Sequence, residues 1–162
     1  MEEAFTCYDD LNKQPERKKE VMKKMAADYG RIISHTPGEG LHWRGTKLDL
    51  IEMAHVAFVH GSLRDPMGSP LSFATLVRRG CAVFGLAVPR NPRAYAEKAR
   101  QRKGIFQCPF FARYAWQLYR NDNCEPMGCY VDCGGAPAVP SKKGMVTLKR
   151  RTRCRQTSTS GR

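Results

Sequence analysis

The sequence predicts a mainly α protein: an N-terminal helix, a compact domain of helix-turn-helix-like layout, and a disordered, basic C-terminal tail. Three observations carry this expectation. Apolar residues recur at three-to-four spacing in separate segments between residues 14 and 122, the period of a helix with one buried face. Capping residues and Gly or Pro stops bracket those segments. Charge is also uneven: the formal net is +13, yet residues 1–40 carry −1, 41–90 carry +3, 91–123 carry +5 and 124–162 carry +6. A chain of 162 residues is long enough to bury one core and still carry appendages. The expected division is a helix and linker over 1–40, a domain over 41–123, and a Cys-containing tail over 124–162.

The elements follow in order. "QPERKKEVMKKMAADYGRII" (14–33) places Val21, Met22, Met25, Tyr29, Ile32 and Ile33 on one face and a mixture of Lys and Glu on the other. That amphipathic face is offered to a protein partner or to a second copy of the chain. "SHTPGEG" (34–40) reads as a linker, since Pro37, Gly38 and Gly40 stop a helix. "GTKLDLIEMAHVAFVHG" (45–61) is the first core helix, with Thr46 as cap, Asp49 in the first turn and Gly61 at the end. Its broad stripe, from Leu48 and Ile51 to Phe58 and Val59, predicts a largely buried helix. "SLRDPMG" (62–68) is a turn-rich connection in which a short strand can begin at Leu63. In "SPLSFATLVRRGCAVFGLAV" (69–88), Ser69 is the expected cap and Phe73, Leu76, Val77 and Phe84 face the core. "CPFFARYAWQLYRND" (108–122) is an aromatic-rich packing helix.

Between the last two lies "NPRAYAEKARQRKG" (91–104). Asn91 can cap it and Pro92 suits its first turn. Its only apolar residues are Tyr95 and three alanines, and it carries five cations against the single anion Glu97. With Tyr95 and Ala99 holding it to the domain, Arg93, Lys98, Arg100, Gln101, Arg102 and Lys103 are expected to face a polyanion. Arginine pairs bidentately with guanine and glutamine with adenine, while lysine more often neutralises phosphate. Arg78 and Arg79, on the preceding helix, are candidate phosphate clamps. Compact helical domains commonly present one helix to the major groove of DNA, so double-stranded DNA is the expected partner. The plain alternative is a solvated basic surface that only keeps the protein soluble.

Other chemistries find little footing. No apolar run approaches the roughly 18 residues of a membrane span, and the acidic "MEEAFTCYDDLNK" lacks the order of a secretory signal. Seven cysteines without a regular framework suit reduced thiols and a cytoplasmic location. Cys124, Cys129 and Cys133 form C-x4-C-x3-C, to which Cys108 or Cys154 could add a fourth ligand. Structural zinc takes four ligands, these three cysteines have no histidine nearby in sequence, and free thiols are expected. His55 and His60 lie five apart, which does not put two ligands on one helix face. No phosphate-cradling loop, nucleophile elbow or HExxH helix occurs; no enzyme, metal or cofactor is expected. Residues 134–162 combine turn formers with "KRRTRCR" and read as a mobile tail that attracts nucleic acid without reading sequence.

Two stretches also carry a family resemblance. "HWRGTKLDLIEMAHVAFVHGSL" (42–63) resembles W-x-G-x-K-x-D-L-I-E, which opens the C-terminal domain of RteC-type regulators of Bacteroides conjugative transposons. The matching positions are Trp43, Gly45, Lys47, Asp49, Leu50, Ile51 and Glu52. "NPRAYAEKARQRKG" is similar to the family's N-P-x-x-Y followed by R-x-R-K, at Asn91, Pro92, Tyr95, Arg100, Arg102 and Lys103. The resemblance spans residues 42 to about 120. It implies a winged-helix fold and DNA binding in the control of excision and transfer genes. Two features differ: about 40 residues stand where the family has a long helical N-terminal domain, and "GIFQCPFFARY" is more apolar than the family's equivalent. A protein-docking module or a shortened, inactive relative is the competing reading. Trp43, Asp49 and Glu52 themselves are expected to close the core edge and flank the first helix rather than form a site.

Overall fold

The computed structural model describes residues 13–102, 108–120 and 125–133. Their elements run α1 (Pro15–Ser34), β1 (His42–Trp43), α2 (Lys47–His60), α3 (Phe73–Val83), α4 (Pro92–Arg100), α5 (Phe110–Arg120), a single 3-10 turn (Pro126–Cys129) and β2 (Val131–Asp132). The described residues are therefore mainly helical, with one two-stranded sheet.

α2 is the centre, and α1, α3, α4 and α5 all pack on it. Its start is fixed by a reciprocal capping box: Thr46 Oγ1 accepts from the Asp49 N–H, and Asp49 Oδ2 accepts from the Thr46 N–H at 2.9 Å. Its end is set by Gly61 at φ +69°, a left-handed geometry that glycine adopts without strain. Leu50, Ile51, Met53, Ala54 and Ala57 are buried, but Phe58 and Val59 stay 40 % and 57 % exposed. The expected stripe thus emerges into solvent at its C-terminal end.

α1 is part of this core, not an appendage. Val21, Met25, Ala26, Tyr29 and Ile32 are buried against the domain. This corrects two expectations: residues 15–34 are not part of a separate unit, and the apolar face offered to a partner or a second copy is already used internally. The stretch expected as a linker is organised by Glu39, which accepts from the Thr36 N–H at 2.9 Å and meets His35 at 2.6 Å.

α1 also touches α3 through Tyr29, whose hydroxyl donates to the Leu76 carbonyl at 2.8 Å. Gly80 makes that approach feasible, because a Cβ there would collide with the Tyr29 hydroxyl. α3 starts later than expected, capped by Ser72 rather than Ser69. The reason is a small hairpin: Arg64 and Pro70 form a bridge, and Asp65 accepts from the N–H groups of Met67 and Ser69. Ser69 is consumed by that turn.

The domain also runs past residue 123. Met127 is buried, Tyr130 packs on Phe110 at 4.9 Å and on Trp43 at 5.9 Å between centroids, and β2 pairs antiparallel with β1, His42 opposite Asp132. Residues 125–133 therefore belong to the fold rather than to a flexible tail. The disorder expected beyond residue 134 lies outside the described residues.

Candidate nucleic-acid interface

α4 begins as the sequence predicts. Asn91 Oδ1 accepts from the Ala94 N–H at 3.2 Å and Pro92 occupies the first turn. Its anchor differs from expectation. Ala96 and Ala99, three apart, are buried, while Tyr95 remains 39 % exposed. Two methyl groups let the α4 backbone sit close on α2, and a tyrosine ring on that line would hold it away. Tyr95 lies at the flank of the buried line instead.

The cations divide into three groups. Arg93 and Lys98 are exposed on α4 and make no ion pair with a described residue. Arg100 and Gln101 are exposed but engaged: both donate to Glu97, Gln101 at 3.0 Å. Arg102 turns inward. Its Nη1 donates to Asp49 Oδ1 at 2.7 Å, its Nη2 approaches Thr46 Oγ1 at 3.2 Å, and only 10 % of its side chain is exposed. This corrects the expectation that Arg102 faces a polyanion. The helix ends at Arg100, so the chain leaves the helical period and brings Arg102 over the start of α2, where Asp49 is buried. A buried carboxylate without a cation is costly, and Arg113 from α5 supplies a second one. Lys103 lies outside the described residues.

Arg78 and Arg79 are exposed on α3, opposite the buried line of Leu76, Val77, Gly80 and Cys81. Arg90, just before α4, is exposed as well. Sequence reasoning passed over it because it sits outside any helical period, beside Pro89, although its position next to the α4 cap was readable.

Trp43, Asp49 and Glu52 take structural places. Trp43 packs on Phe84, Phe110 and Tyr130 and donates its Nε1–H to the Thr46 carbonyl at 2.9 Å. Glu52 reaches from α2 to the start of α5, where its two oxygens accept from the Phe110 and Phe111 N–H groups at 2.9 Å each. An acceptor from another element thereby serves as the cap of α5. Burial pushes the Glu52 carboxyl up to about 7, against those two hydrogen bonds, with the Asp49 charge adding to the rise and Arg102 opposing it.

Between α2 and α4 lies a cleft of about 520 Å³, lined on one side by His55, Phe58 and Phe73 and on the other by Arg93, Ala96, Glu97 and Arg100. Burial lowers the His55 pKa, as do the Arg100 and Arg93 cations, with Glu97 opposing them. His55 packs on Phe73 and His60 is exposed at the end of α2. Among the described residues no group of three His, Cys, Asp or Glu is placed to hold a metal ion. Cys129 and Cys133 are exposed, and Cys124 lies outside the described residues. No described helix is long and apolar enough to cross a membrane. No family model, no curated protein and no solved structure matches the chain.

Proposed function

We propose that the protein binds double-stranded DNA through the outward face of α4, assisted by Arg78 and Arg79, and acts as a transcriptional regulator. One observation carries the reading. α4 is seated on two alanine methyl groups; it leaves Lys98 exposed on its outer side and Arg93 exposed on the flank bordering α2, with no described anion to satisfy either. A helix of that kind adds little to the core, and its outer face is suited to phosphate. The net charge of +13 supports the same partner through long-range attraction. The winged-helix form, the RteC-type role at mobile-element genes and a cytoplasmic setting belong to this proposal on the strength of the sequence resemblance and composition.

The test is salt-dependent binding of a duplex. With Arg78, Arg79, Arg93 and Lys98 each neutralising a phosphate, log K falls against log salt with a slope near −4, at roughly −0.9 per phosphate. Lys98→Ala weakens binding to all sequences alike and flattens the slope by about one unit. A variant with the parent's affinity and slope would show that this face meets something other than DNA. The competing docking module finds support in the exposed Phe58 and Val59 at the end of α2; it expects no salt slope from α4.

A further inference from the structure

The cleft between α2 and α4 has two unlike walls. One is aromatic: His55 lies 5.6 Å from Phe73 in an edge-on arrangement, and Phe58 lies 5.9 Å from Phe73 between centroids. Phe73 is buried and steadies the group, while Phe58 keeps 40 % of its surface open. The facing wall is the flank of α4 that carries Arg93, Glu97 and Arg100. Glu97 is tied to Arg100 and Gln101, so Arg93 is left with no described counter-ion, and this wall carries a net charge of one. Burial lowers the His55 pKa first, and the Arg100 and Arg93 cations lower it further, with Glu97 opposing them. A half-open phenyl ring next to an unpaired guanidinium complements a flat apolar body that ends in an anion. The volume, about 520 Å³, falls in the range of roughly 300–1,000 Å³ typical of small-molecule sites.

We propose that this cleft binds a small aromatic anion, a planar ring bearing a carboxylate or a phosphate, with the ring against Phe58 and His55 and the anionic group on Arg93. The ligand is distinct from DNA, and the site stands whether or not α4 meets a duplex. Because Arg93 faces both, a bound anion would neutralise one of the cations that DNA would otherwise meet, which makes the site suited to an effector.

Isothermal titration of the full chain in the absence of DNA tests this with 2-naphthoate and 2-naphthyl phosphate, against the neutral 2-naphthol and inorganic phosphate. At least one aromatic anion is expected to bind saturably, and the better of the two names the anionic group. 2-Naphthol and inorganic phosphate should bind at least tenfold more weakly, as the loss of a charge-assisted hydrogen bond or of the aromatic contact implies. Arg93→Ala and Phe58→Ala should each weaken binding about tenfold or more, whereas Lys98→Ala should not change it. Arg93 is exposed, so its substitution leaves the melting temperature in place and decides the matter should Phe58→Ala lower it. Absence of saturable binding by both aromatic anions, equal binding of inorganic phosphate, or binding that survives Arg93→Ala overturns the proposal.

Discussion

Asp49 takes part in three junctions at once: the cap of α2, the inward turn of Arg102 after α4, and the approach of Arg113 from α5. Removing its charge leaves two guanidinium groups facing a buried site, and breaking a buried pair by deleting one partner costs about 3–5 kcal/mol. Asp49→Asn should therefore lower the urea midpoint strongly. Arg102→Ala should cost less, because Arg113 still serves Asp49, and it should leave the DNA salt slope unchanged. That pairing of outcomes separates Arg102 from Lys98, whose alanine variant flattens the slope without loss of stability. Glu52 offers a second residue-scale prediction. Its folded pKa of about 7 lies above the ordinary glutamate value of 4.5, so between those values the folded state holds more protons than the unfolded state. Stability from this group is then full below about pH 4.5 and declines as pH rises through about 7, by at most about 1.4 kcal/mol per unit. The lowered His55 pKa acts in the opposite direction, so the measurement is a difference: chemical denaturation of the parent and of Glu52→Gln across pH 4.5 to 7.5. The variant should lack this decline. It should also be less stable at low pH, because its amide can accept from only one of the two N–H groups at the start of α5.

Each helix is placed by a small number of close approaches. α4 depends on Ala96 and Ala99 against α2, and α1 meets α3 where Gly80 admits the Tyr29 hydroxyl. Gly80→Ala is expected to destabilise by about 1–3 kcal/mol, read as a lower melting temperature, because the new methyl group must displace a buried ring from its hydrogen bond to Leu76. In an isolated helix the same substitution is stabilising by about 1 kcal/mol. The sign of the effect therefore distinguishes tertiary contact from helix propensity. α5 illustrates the complementary case, a helix whose cap comes from Glu52, 58 residues upstream of Phe110.

At the scale of the whole molecule, the described chain closes on itself. β1, before α2, pairs with β2 at residues 131–132, and Arg44 joins Asp132. A chain ending at residue 120 loses β2, Met127 and the Tyr130 ring that covers Trp43 and Phe110, and it should unfold at markedly lower denaturant. A chain ending at residue 133 keeps them all. It also sheds eight Lys and Arg residues and no Asp or Glu. Its denaturant midpoint should match the parent's, while its affinity for DNA falls without altering preference between sequences, since added phosphate contacts carry no sequence information.

Local signals were sufficient for the helices themselves. Thr46, Gly61, Asn91 and Pro92 act within one turn of their own backbone, and the three-to-four spacing of α1, α2 and α5 records which side must leave water; so those elements, and the basic outer face of α4, were readable from the chain alone. Spacing does not say what a face packs against, and this is why α1 read as an appendage although it completes the core. Nor does it locate a partner distant in sequence. Arg102 belongs in the pattern of an exposed basic helix until Asp49, 53 residues upstream, is brought beneath it. Met127 and Tyr130 sit among Gly, Pro and Cys with no period to announce them. Their burial follows only once Trp43 and Phe110 have left an open edge. Helix starts and amphipathic faces were determined by neighbouring residues, whereas the inward turn of Arg102, the Glu52 cap and the closing strand were decided by tertiary structure, because each satisfies a buried charge, an orphan N–H or an uncovered ring that does not exist until the chain has folded.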